Sequence, residues 1–138
     1  MREASKQNHP YRILVVEDDP EMRALLTDEL SDEGYAVTQA VDGADASLKV
    51  AHETFDLVIT DMKMPNLGGL EFLPIVEKSC PGVPVLVITA FGDWPSFIEA
   101  YDKGAVDFIS KPFKMLELKN AVKKALNNKT GSNGGKTK

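Results

Sequence analysis

The chain has 138 residues, 43% hydrophobic and 27% charged, with a formal charge of −5. That length fits one domain whose core needs no disulfide or structural metal, and the acidic balance excludes general affinity for nucleic acid or anionic membrane. A lone cysteine (Cys80), a polar N-terminus without a signal-peptide core, and the absence of any apolar run near ~20 residues lead us to expect a cytoplasmic protein.

Residues 1–10 are polar, end in Pro10 and read as a flexible leader. Five β-rich runs follow, at Arg12–Val16, Tyr35–Ala40, Leu57–Thr60, Val83–Thr89 and Val106–Ile109. Ile13-Leu14-Val15-Val16, Leu57-Val58-Ile59 and Val85-Leu86-Val87-Ile88 are continuously apolar, as suits strands covered on both faces of a parallel sheet.

Helical patterns separate the strands. Asp19-Pro20 supplies an N-cap and a first-turn proline, Met22, Leu25, Leu26 and Leu30 form a stripe, and Gly34 ends the helix. Asp42-Gly43 opens the second helix, with Ala46 and Val50 at i, i+4. Gly68-Gly69 precedes the third, which carries Leu70, Leu73 and Val76 and tolerates Pro74. The fourth spans from near Pro95 to Gly104, with Trp94, Phe97, Ile98 and Tyr101 at i, i+3, i+4, i+7; such a stripe serves the core, or in part a protein contact. The fifth runs from about Phe113 to Leu126, with Leu118, Val122 and Leu126 spaced by four. Residues 128–138 are Gly-rich and polar and read as a flexible tail, leaving one folded domain over 11–127.

Strands alternating with helices predict an α/β doubly wound, five-stranded parallel sheet, (βα)5, in the flavodoxin-like strand order 2-1-3-4-5. In that order the first and third strands are neighbours, and a ligand should bind where their C-terminal ends meet. The first strand ends in Glu17-Asp18-Asp19 and the third in Asp61-Met62-Lys63. Clustered carboxylates repel, by roughly 4 kcal/mol per pair 4 Å apart at an effective dielectric near 20, and a hard divalent cation relieves that cost. The fourth strand brings Thr89 to the same edge and the fifth brings Lys111. Taken singly these are ordinary: Asp19 is an N-cap, Asp61 a turn residue, Thr89 a strand-end residue, Lys111 a solvated charge. Acid, acid, hydroxyl and amine on one rim make a phosphoryl clamp.

With those residues in place the sequence resembles the response regulator receiver family from about Arg12 to Leu126, nearly all of the predicted domain. The resemblance implies that Asp61 is the phosphoacceptor of a two-component phosphorelay, becoming a 4-aspartylphosphate. It further implies Mg²⁺, with Mn²⁺ as a substitute, held by Asp18, Asp61 and the Lys63 backbone carbonyl, with Glu17 acting through water. Thr89, Ala90 and Lys111 would bind the phosphoryl oxygens, and the bond to Pro112 would be cis. Thr89 and Phe108 would form the switch, unless Phe108 is simply core, and Lys63 and Phe91 sit where acyl-phosphate lifetime is tuned. The implied partners are a sensor histidine kinase or histidine phosphotransfer protein, and a protein target on the surface of the fourth helix, fifth strand and fifth helix. The chain would be a monomer or a phosphorylation-dependent dimer, with no turnover of a free small molecule.

Two other classes fit less well. An aspartate-nucleophile phosphatase wants a second acid two residues after its nucleophile, where this chain has Lys63. A flavin-binding domain wants a neutral phosphate loop after the first strand, where this chain has Glu17-Asp18-Asp19-Pro20. The short tail fits either a stand-alone receiver or a fragment of a longer regulator. His9, His52 and Cys80 show no ligand or nucleophile spacing.

Overall fold

The computed structural model describes residues 5–6, 9–63, 67–90, 99 and 101–131. Its sheet has five parallel strands: β1 (Arg12–Val16), β2 (Ala36–Ala40), β3 (Leu57–Asp61), β4 (Val85–Ala90) and β5 (Ala105–Lys111). Their order is β2-β1-β3-β4-β5, the order expected from the sequence. Among the described residues the helices are α1 (Pro20–Asp32), α2 (Gly43–His52), α3 (Gly69–Ser79), a helical stretch at Glu99 and Tyr101–Asp102, and a C-terminal helix (Met115–Gly131). None is long and apolar enough to cross a membrane.

Side chains alternate across the strands and so build two cores. Ile13, Val15, Leu57, Ile59, Leu86 and Ile88 face α1 and the C-terminal helix, meeting Leu26, Leu30, Leu118, Val122 and Leu126. Leu14, Val16, Val58, Val85 and Val87 face α2 and α3, meeting Ala46, Val50, Phe72, Leu73 and Val76. Burial on both faces explains why these strands lack the polar alternation of a half-exposed sheet.

Local chemistry sets the helix boundaries. The Asp19 side chain accepts from the Glu21 amide with Pro20 following, and Gly34 leaves α1 at φ 98°. The Asp42 side chain caps α2 through the Asp45 amide at 2.8 Å.

Beyond shifts of one or two residues at the ends of β2, β3 and β4, three features differ from expectation. Ser5–Lys6 and His9–Pro10 pair antiparallel, where composition suggests a loose leader. The C-terminal helix continues past Leu126 to Gly131, because no glycine or proline interrupts it earlier. β5 starts at Ala105 and contains a register shift beside Val85/Leu86, which leaves Val106 exposed while Phe108 packs against the α2–α3 core. The shared strand parity of Val106 and Phe108 is therefore a poor guide to burial here. Trp94, Phe97 and Ile98 of the fourth-helix stripe, and separately Phe91, lie outside the described residues; Tyr101 is exposed.

Candidate functional site: an acidic sheet edge with one lysine

The site forms where the chain turns from β1 into α1 and out of β3. Glu17, just beyond β1, keeps the sheet ladder one step longer through its amide to the Ala40 carbonyl at 3.1 Å. Its own carbonyl accepts from the Arg23 guanidinium at 2.7 Å, tying the strand tip to the first turns of α1. The carboxylate folds back, Oε2 accepting from the Asp19 amide at 3.1 Å. Glu17 is only 1% exposed, and its Oε1 has no hydrogen-bond partner among the described residues.

Asp61 closes β3 at 7% exposure. Its Oδ1 accepts from the Lys63 amide at 3.2 Å and its Oδ2 from the Lys111 ammonium at 3.1 Å. The neighbouring Met62 amide donates to the Ile88 carbonyl at 3.0 Å, holding the strand end against β4. Glu17, Asp18 and Asp61 each offer a carboxylate oxygen within 4.8 Å of the others. Asp18 is the exposed member of the three and opens the cluster to solvent.

The electrostatics follow from this crowding. Burial, reinforced by the Asp61 charge, pushes the Glu17 carboxyl up to about 7, against the opposing pull of the Asp19 amide and Lys111. Burial alone would lower the Lys111 ammonium, but Asp61, Glu17 and Asp18 outweigh it and hold it above the ordinary lysine value. Lys111 Nζ also stands 4.0 Å from Glu17 Oε1. Among the described residues one lysine thus faces three acids, an incomplete neutralisation.

Hard oxygen donors, two buried and one exposed, with a carboxylate oxygen among them that accepts no hydrogen bond from the described residues, suit a small divalent cation that keeps part of its water shell. Glu17, Asp18 and Asp61 fit that role in donor type and spacing. Lys63 is exposed on the loop leaving Asp61.

Thr89 and Ala90 end β4, and Thr89 lies one residue beyond Ile88, the β4 partner of Asp61. Thr89 is buried, and its hydroxyl lies 3.5 Å from the Ala90 carbonyl, a long contact that holds it only loosely. Ala90 pairs with Lys111 across the β4–β5 ladder, and the bond from Lys111 to Pro112 is cis. The tips of four strands therefore gather Glu17, Asp18, Asp61, Thr89, Ala90 and Lys111 on one edge. Phe108 sits a turn of strand away, half-buried on the α2–α3 face.

Sequence reasoning overlooked two groups. Arg23 carries no motif, yet it clamps the Glu17 carbonyl; its place one turn after an N-cap beside an acidic strand tip was the available signal. Gly43 was read only as part of a helix start. A Cβ there would fall 2.2 Å from the Leu67 carbonyl oxygen, so the absent side chain lets the start of α2 press on the loop between β3 and α3.

This fold and this edge define a class. A family model, the response regulator receiver domain, matches residues 13–123, and the chain belongs to that family. It is a receiver domain of two-component signalling. The sporulation initiation phosphotransferase F of Bacillus subtilis (strain 168) is 36% identical over 83% of this chain and 93% of that protein. The transcriptional regulatory protein GlrR of Escherichia coli (strain K12) is also 36% identical over 85% of this chain, which spans only 26% of GlrR. Among solved structures, the receiver domain of NtrX from Brucella abortus superposes with TM-score 0.80 at 35% identity, covering 84% of this chain and 98% of that one. A CheY-like receiver domain protein from Methanospirillum hungatei JF-1 gives TM-score 0.83 at 28% identity, covering 87% of this chain and 96% of that one.

Proposed function

We propose that Asp61 is the phosphoacceptor of this receiver. The observation that carries the reading is the pairing of Asp61 with Lys111 at 3.1 Å inside a cluster of three carboxylates. Asp61 is buried enough to exclude bulk water, and both its oxygens are oriented by donors. A carboxylate oxygen of Asp61 attacks the phosphorus of a phosphohistidine on a partner kinase or phosphotransfer protein. The P–N bond breaks as the P–O bond forms, the imidazole leaves, and Asp61 becomes an acyl phosphate.

Asp18, Asp61 and the Lys63 carbonyl would hold Mg²⁺ or Mn²⁺, with Glu17 acting through water; the ion supplies charge neutralisation for the transferring oxygens. Lys111 releases its hold on the Asp61 carboxylate and takes a phosphoryl oxygen. The Ala90 backbone and the loosely held Thr89 hydroxyl take others. As Thr89 moves, Phe108 turns into the vacated space and alters the surface of the fourth helix, β5 and the C-terminal helix, where a protein target docks. Lys63 and Phe91 flank the site and tune the lifetime of the acyl phosphate. The work is done in the cytoplasm, on a protein partner and with no free small molecule turned over.

A receiver that acts through protein contacts is supported by the match across 93% of a stand-alone-sized relative. The second reading, a receiver within a longer regulator, draws on the 26% share of GlrR that this chain spans.

The test is intact mass after acetyl phosphate and Mg²⁺, comparing the natural chain with Asp61→Asn. A phosphoryl gain in the natural chain alone is expected; a gain in both would move the acceptor elsewhere.

A further inference from the structure

α2 presents Gly43, Ala46 and Val50 to the core. Successive helical residues turn by about 100°, so Ala44, Leu48 and Ala51 fall in one stripe on the opposite side. All three are exposed, Leu48 by 65%. Val41, just before the N-cap, is 47% exposed. A single exposed leucine is unremarkable. The order of sizes and charges along this stripe is less ordinary.

Consider a second α2 laid antiparallel across the first, about a two-fold axis level with residue 46. Leu48 of each copy then meets Ala44 of the other, and Ala51 comes opposite Val41. Large side chains fall on small ones, so the two backbones approach closely. The charges reverse in the same way. Asp42 caps the helix and Asp45 lies in its first turn, while Lys49 and His52 occupy its last. Antiparallel pairing sets the acidic end of each helix beside the basic end of the other and opposes their dipoles. Asp45, already 3.0 Å from its own Lys49, also comes beside that of the second copy. A parallel pair would instead stack Leu48 on Leu48 and acid on acid.

We propose that α2 is a self-association surface, two copies of this chain pairing their α2 helices antiparallel about that axis. The contact is isologous, as closed dimers require. It involves one helix face per copy, well short of the ~1,200 Å² of a stable interface, so the dimer is weak and concentration-dependent. Antiparallel helices also send the two acidic edges to opposite ends of the dimer. Pairing is therefore independent of the state of Asp61, unlike the phosphorylation-dependent dimer that the family resemblance implies, and does not rest on the phosphoacceptor reading.

Sedimentation velocity of the full chain from about 10 µM to about 1 mM, with and without Mg²⁺ and acetyl phosphate, tests it in the range where small interfaces operate. The average mass should climb from one chain toward two, equally in both conditions. Leu48→Glu should abolish the climb, with an unchanged thermal melt showing that the fold is intact. Mixing Ala44→Cys with Leu48→Cys chains under mild oxidation should favour the mixed disulfide over either homodisulfide; native Cys80 is buried and does not compete. A single-chain mass throughout, a dimer undiminished in Leu48→Glu, or dominant homodisulfides would each overturn the proposal. Impaired phosphotransfer in Leu48→Glu with a monomer at every concentration would also overturn it, and assign the stripe to a different protein.

Discussion

The Lys111 ammonium reaches Asp61 at 3.1 Å across 50 residues of chain, joining the tips of two strands, β3 and β5, that β4 holds apart. The bridge exists because three parallel strands end level with one another, and it brings an ammonium group to a three-carboxylate cluster.

Removing that cation should leave Asp61 and Glu17 short of positive charge. Lys111→Met is expected to lower stability in chelator by about 1–2 kcal/mol, since the lysine is partly solvated and the pair is worth less than a fully buried one. A divalent cation restores positive charge at the same place, so the loss should shrink when Mg²⁺ is added. Urea denaturation in EDTA and in Mg²⁺ measures both; an equal loss in the two would separate Lys111 from the carboxylate cluster.

Glu17 gives the metal-free protein a pH dependence of definite sign. The unfolded chain releases this proton near the ordinary glutamate value of 4.5, whereas the folded chain keeps it to about 7. Between those values the folded state binds more protons, so raising the pH favours unfolding. Stability in chelator should fall across that window by on the order of 3 kcal/mol relative to Glu17→Gln, and level off above it. Urea midpoints for both chains at a series of pH values provide the comparison, with a parallel pair of curves as the opposing result.

Gly43→Ala puts a carbon where the Leu67 carbonyl oxygen already stands, 2.2 Å away. Backbone must move, and overpacking of that kind costs about 1–3 kcal/mol. Gly82 and Gly104 are a useful contrast: each has open space for a Cβ but a positive φ, so alanine there costs the conformational difference alone, about 1–2 kcal/mol. Chemical denaturation of the three variants should rank Gly43→Ala as the most damaging.

Phe108→Ala should leave the Asp61 phosphoryl gain intact by mass while weakening the binding of a target protein at least several-fold. Phe108 packs beside the α2–α3 core rather than against the acidic edge, so the chemistry does not need its ring. Unchanged target affinity would reduce Phe108 to a packing residue.

The pattern of apolar strands and capped helices was legible because each carries its own local cause. Val58 and Ile59 are apolar whichever face they turn to, and Asp19-Pro20 and Asp42-Gly43 start helices through their own side chains. Boundaries set by partners were not legible. The register shift that exposes Val106 arises from the β4–β5 ladder, and no residue in β5 announces it.

The acidic edge divides in the same way. Sequence alone determined which residue types end each strand and, through the alternation of strands with helices, that those ends share one rim. Only the tertiary structure decided how the charges are held. Lys111, which the sequence could only bring to the rim, became the direct partner of Asp61, Glu17 became a buried acid with one oxygen that accepts no hydrogen bond among the described residues, and Arg23 became the clamp on its backbone. Those facts depend on distances and on the exclusion of water, and both come into being only when strands far apart in the chain pack side by side.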